Sequence, residues 1–84
     1  MTESLGEIKA ALEEVSACLH SAYRCAQLAE QRLTEAVALL TELNQSHHDS
    51  LVPPELPKAG QELTRGLGLI IGGVDSVAAI EARL

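Results

Sequence analysis

Apolar residues recur along the first half of the chain at Leu5, Ile8, Leu12, Val15, Leu19, Ala22, Ala26, Ala29, Leu33, Ala36, Leu40 and Leu43. The steps alternate between three and four without a slip, the a/d pattern of helices that pack side by side. The pattern predicts one unbroken helix over 3–45. No proline interrupts it, and its one glycine, Gly6, falls in the first turns. Thr2 and Ser4 are the candidate N-caps; Ser4 followed by Glu7 fits a capping box, and Glu3 and Glu7 suit the positive end of the helix dipole. With Leu5 as position a, the g positions are Ala11, Cys18, Cys25, Arg32 and Leu39, mostly apolar or nearly so, and Tyr23 and Val37 at e widen the stripe. A stripe that wide contacts more than one neighbouring helix. Ala22, Ala26, Ala29 and Ala36 make the middle of the seam small, so that a partner backbone can approach closely there.

The period is lost at Gln45-Ser46-His47-His48-Asp49-Ser50, a run of turn formers. Val52-Pro53-Pro54 then imposes an extended entry, giving an interhelical loop over 46–53. Pro54 or Pro57 can open a second helix, where amide donors are unpaired anyway. That helix is predicted over 54–83, with a spine of Leu56, Leu63, Ile70, Val77 and Leu84 spaced seven apart. Leu67 and Val74 flank the spine on one side, and Gly66, Gly73 and Ile80 on the other. The run from Gly66 to Gly73 holds four glycines, each costing about 1 kcal/mol relative to alanine in a helix interior, so a break there is the competing reading. In a continuous helix Gly66 and Gly73 could meet the alanine zone of the first helix at short range.

At ~1.5 Å per residue the two helices would be about 64 and 45 Å long. In an antiparallel hairpin Leu5, Ile8, Leu12, Val15 and Leu19 would then largely overhang the second helix. Leaving five large aliphatic side chains in water is costly for a small domain, so these residues are the expected intermolecular surface. The expected architecture is all-α: a single helical-hairpin domain over 1–84 that dimerises into a four-helix bundle or coiled-coil-like assembly.

Composition narrows the function. The chain is 46% hydrophobic but 1% aromatic, so Leu, Ala, Val and Ile must supply the packing, which suits helices better than a sandwich or barrel. Twelve acidic residues against six basic ones give a net charge of −6, which disfavours nucleic acid and anionic membranes as partners. The acidic, amphipathic start MTESLGEIK does not read as a signal peptide, and the apolar run 67–74 is too short to span a bilayer. A cytoplasmic location is expected, with export independent of a signal peptide left open.

Candidate chemistry is sparse. His20, His47 and His48 with the two cysteines lack the three- or four-residue spacing of a helical metal site, so no metal and no cofactor are expected. Cys18 and Cys25, about 10.5 Å apart along a helix, are too distant for a mutual disulfide; they read as small seam residues or as thiols shared across a two-fold axis. Glu13-Glu14 sits on a solvated face without a concave site, and the Gly66–Gly73 run lacks the strand before it and the Lys-Ser/Thr after it that a phosphate loop needs. No catalytic residues are expected, and an enzyme is the poorest reading.

A long helix, a turn at Ser46-His47-His48-Asp49-Ser50-Leu51 and a second helix in a short acidic chain resemble the small helical-hairpin proteins of type VII (ESX, WXG-like) secretion and the hairpin segments of actinobacterial polymorphic toxins. The resemblance covers nearly the whole chain and is architectural. The Trp-x-Gly turn is absent, and Tyr23 is followed at the export-motif spacing by Gln27 rather than an acid. The resemblance implies a non-catalytic interaction protein that self-associates or pairs with another helical chain. A small-ligand-binding or sequestering bundle, with a cavity among Ala22, Ala26, Gly66 and Gly73, and an accessory subunit or adaptor of an enzyme or toxin system are the alternatives.

Overall fold

The computed structural model describes residues 4–45 and 51–84; Thr2 and the His47-His48 turn lie outside them. Two antiparallel helices form a hairpin, α1 over Leu5–Asn44 and α2 over Glu55–Arg83, and there is no strand among the described residues. The Ser4 hydroxyl caps α1 by accepting from the Glu7 amide at 3.2 Å, satisfying one of the donors that a helix start leaves unpaired. α2 follows Pro54, and Pro57 lies in its first turn, where proline's missing amide removes no intrahelical bond.

α2 is continuous through its glycines, so the broken-helix reading is corrected. The helix is held by packing of its inward face, which outweighs the propensity cost of the glycines. That inward face is Leu56, Gly60, Leu63, Leu67, Ile70, Val74, Val77 and Glu81, a heptad seam containing the two most buried residues, Leu67 and Val77, each 9% exposed.

The inward seam of α1 is rotated from the one its sequence predicts. Its half-buried residues are Leu12, Ser16, Leu19, Tyr23, Ala26, Glu30, Leu33, Val37, Leu40 and Asn44. These are the a and e positions of the predicted heptad; the d positions Val15, Ala22, Ala29, Ala36 and Leu43 are exposed. A ring at Tyr23 and a branched chain at Val37 fill the space against α2 better than the alanines at d, and one helix can cover only part of so wide a stripe.

The register follows from three approaches. Thr64 Oγ1 lies 2.7 Å from Glu30 Oε2. A Cβ on Gly60 would stand 3.5 Å from a Leu33 methyl, and one on Gly73 3.5 Å from a Leu19 methyl. Continued at this register, Leu84 is level with Ile8–Lys9 and Leu56 with about Val37. The predicted overhang is therefore corrected: only the first turn of α1 runs past the end of α2. The cause is the connection. Leu51 and Val52 lie half-buried, and the Leu51 amide donates to the Asn44 side-chain oxygen, which holds this described part of the connection beside the last turn of α1. α2 thus starts well down α1 rather than at its tip.

Candidate functional site

Two helices in one layer cannot enclose a core. The chain exposes 6478 Å², whereas a compact monomer of 8.9 kDa would expose about 4,800 Å². Among the described residues ten large aliphatic side chains are well exposed, including Leu69 at 71%, Leu39 at 62% and Val15 at 47%.

The two broad faces of the hairpin differ. One is marked by the grooves along it. A groove of about 420 Å³ runs past Thr34, Pro57, Gln61 and Thr64 beside Leu33, Val37 and Leu56, and a smaller one is lined by His20, Tyr23, Ile71 and Val74. These place Glu13, His20, Gln27, Thr34 and Thr41 of α1, each one residue after an inward position, on the grooved face. Residues one before an inward position fall on the other face. There α1 presents Ile8, Val15, Ala22, Ala29, Ala36 and Leu43, and α2 presents Ala59, Gly66, Gly73 and Ile80. The columns just outside these are Ala11, Cys18, Cys25, Arg32 and Leu39 on α1 and Glu62, Leu69, Ser76 and Arg83 on α2. This second face is apolar over most of its length and smooth at its centre, because its middle residues are alanine and glycine.

The predicted surface residues divide accordingly. Leu5, Ile8 and Val15 are exposed, while Leu12 and Leu19 turn toward α2 and are half-buried. The predicted close-packing set divides as well. Ala26 faces α2 and a Cβ on Gly73 would meet Leu19, but Ala22 and Ala29 are exposed, and nothing stands within 4 Å of a Cβ on Gly66. No gap among these residues serves as the cavity the ligand alternative needs; the groove beside Leu33, Val37 and Leu56 lies nearer the loop end and opens to solvent. Cys18 and Cys25 are free thiols, both exposed on the smooth face.

The exposed Arg32 and Glu35 pair at 3.2 Å on the outer edge of α1. Among the described residues no three His, Cys, Asp or Glu side chains are grouped to hold a metal ion. α2 is long and apolar enough by composition to cross a membrane, with an 18-residue window of mean hydropathy 1.4 that is 11% buried; its glycines and alanines extend the apolar character beyond the 67–74 run. Leu28, Leu39 and Leu69 are surface aliphatics that periodicity left out of the predicted interface, and Leu69 stands two residues beyond an inward position of α2. The signal that finds the smooth face in the sequence is the pairing of the d and g columns of α1. Comparison with family models, curated proteins and solved structures finds no match to this chain.

Proposed function

We propose that this hairpin is a non-catalytic helical interaction protein, acting as a homodimer or as one half of a heteromer with another helical chain, in the manner of the ESX-like hairpins it resembles. The observation that carries the reading is the missing core: Leu67 and Val77 are the only buried residues among those described, and each keeps 9% exposure. A chain of this size must bury most of its apolar surface to offset conformational entropy, and a second helical surface supplies that burial without any chemistry. Melting and solution mass, followed from micromolar to millimolar concentration, test it. The expected result is a melting temperature that rises with concentration together with a mass above the 8.9 kDa of one chain, or a weakly folded chain that becomes helical on mixing with its partner. A cooperatively melting monomer whose stability is the same at every concentration overturns the reading.

A small apolar ligand is the second reading, and it rests on the groove beside Leu33, Val37 and Leu56, whose volume of about 420 Å³ is within the range of ligand sites. Dye displacement that is lost in Val37→Glu would favour it.

A further inference from the structure

The smooth face and the charges along its two edges specify an occupant. Resting on the reading of this chain as an interaction hairpin, we infer that the smooth face takes a second copy of the same chain, with the two rods parallel and their loops at the same end. Half a turn about the long axis lays α1 of each hairpin on α2 of the other at unchanged height.

Size and shape complementarity support this arrangement. The surface excess over a compact monomer, about 1,700 Å², exceeds the roughly 800 Å² that each partner buries in a standard stable interface. At the observed register Ala29 is nearly level with Gly66 and Ala22 with Gly73, while Val15 is nearest Ile80. The half-turn therefore sets small residues on small ones at the centre, where backbones approach, and branched residues together at the far end.

Charge selects the orientation. The outer edge of α1 carries Glu7, Glu14, Glu35 and Glu42 with Arg32 beside Glu35, a net negative edge, and the outer edge of α2 carries Lys58 and Arg65. Glu62, midway between Gly60 and Thr64, is level with Arg32, and Lys58 is level with Glu35. Arg32 and Glu62 thus stand at one height on opposite margins of the smooth face. In the parallel arrangement Arg32 meets Glu62 of the second copy, Glu35 meets Lys58, and each contact occurs twice. An antiparallel arrangement instead sets α1 against α1, acidic edge to acidic edge, which repels.

The arrangement also separates the native thiols from each other. Cys25 comes to face Leu69 of the second copy, and Cys18 faces Ser76.

The test combines light scattering with crosslinking on the full chain. Wild type is expected at twice the chain mass. Ala29→Glu, a substitution at an exposed position of the single hairpin, is expected to halve that mass, while Gln27→Glu on the grooved face leaves it. Helicity by circular dichroism keeps a folding failure apart from dissociation. Arg32→Glu and Glu62→Arg each weaken the dimer about fivefold, and the double reversal restores it to within about twofold. Under mild oxidation Leu69→Cys with Cys18→Ser gives a linked dimer through Cys25, and wild type does not. A wild-type dimer linked through its own cysteines, or one that Gln27→Glu breaks and Ala29→Glu leaves intact, overturns this arrangement while leaving the interaction reading in place. So does a chain that stays monomeric alone and uses the smooth face on a different helical protein, whereas use of that face on anionic vesicles overturns both. A chain that is a stable monomer without concentration dependence overturns both.

Discussion

The Thr64 hydroxyl donates to the Glu30 carboxylate across the hairpin at 2.7 Å, and the same oxygen lies 3.1 Å from the Gly60 carbonyl of its own helix. One proton serves two acceptors, one holding the helices in register and the other local to α2. The charged acceptor is the stronger one, and the contact is exposed. Thr64→Val is therefore expected to cost about 0.5–1 kcal/mol, and Thr64→Ser almost nothing. Urea unfolding of the two variants checks this; equal losses would show that the hydroxyl contributes nothing across the hairpin.

Leu67 and Leu69 are neighbours in sequence with opposite fates, 9% and 71% exposed. Leu67→Ala removes one of the few buried side chains and is expected to cost at least about 2 kcal/mol, enough to melt a fold with so small a core. Leu69→Ala should leave the helicity of the single hairpin unchanged and act only on the proposed association. Circular dichroism melts at low concentration separate the two effects, and similar losses for both would contradict the inward seam described for α2.

The glycines of α2 divide by what surrounds them. A Cβ on Gly68 or Gly72 meets nothing within 4 Å, so Gly68→Ala and Gly72→Ala are each expected to stabilise the chain by up to about 1 kcal/mol through helix propensity. At Gly73 the added methyl would touch Leu19 at 3.5 and 3.7 Å, ordinary contact, and Gly73→Ala should gain similarly within one hairpin. Gly73→Leu should lose stability, since the smooth face has no room between the helices there. A thermal-shift series reads the order directly.

The ends of α1 offer a local test. Ser4→Ala removes the cap to the Glu7 amide and is expected to cost about 1 kcal/mol, visible as faster amide exchange in the first turn only. Asn44→Ala removes the acceptor for the Leu51 amide and should speed exchange at Leu51 without changing the α2 seam. Exchange measured residue by residue distinguishes a local opening from a global one.

Much of this architecture is legible in the amino-acid order. The three-four spacing from Leu5 to Leu43, the loss of period after Asn44 and the prolines before Glu55 locate both helices to within a residue or two, because helix boundaries depend on local capping and backbone restriction. The spine of α2 is legible from Leu56 through Leu63 and Ile70 to Val77, the stripe with large side chains every seven residues, while Leu84, which continues the spacing, is the exposed C-cap. The width of the apolar stripe on α1 is legible too, and it exceeds what α2 alone covers.

Which part of that stripe faces α2 depends on tertiary contacts. Alternating apolar residues at a, d and g leave several rotations of α1 nearly equivalent in sequence, and the choice of a and e follows from how Tyr23, Glu30 and Val37 fit against Gly60, Thr64 and Val74. The length of the overhang was decided in the same way, by an axial offset that sets α2 alongside α1 from about Ile8 to about Val37. The smooth face exists only because that rotation turns the alanines of α1 and the glycines of α2 to the same side. Periodicity reports which residues share a stripe on one helix; rotation and axial offset arise between helices, where packing selects among alternatives that the one-dimensional pattern leaves equal.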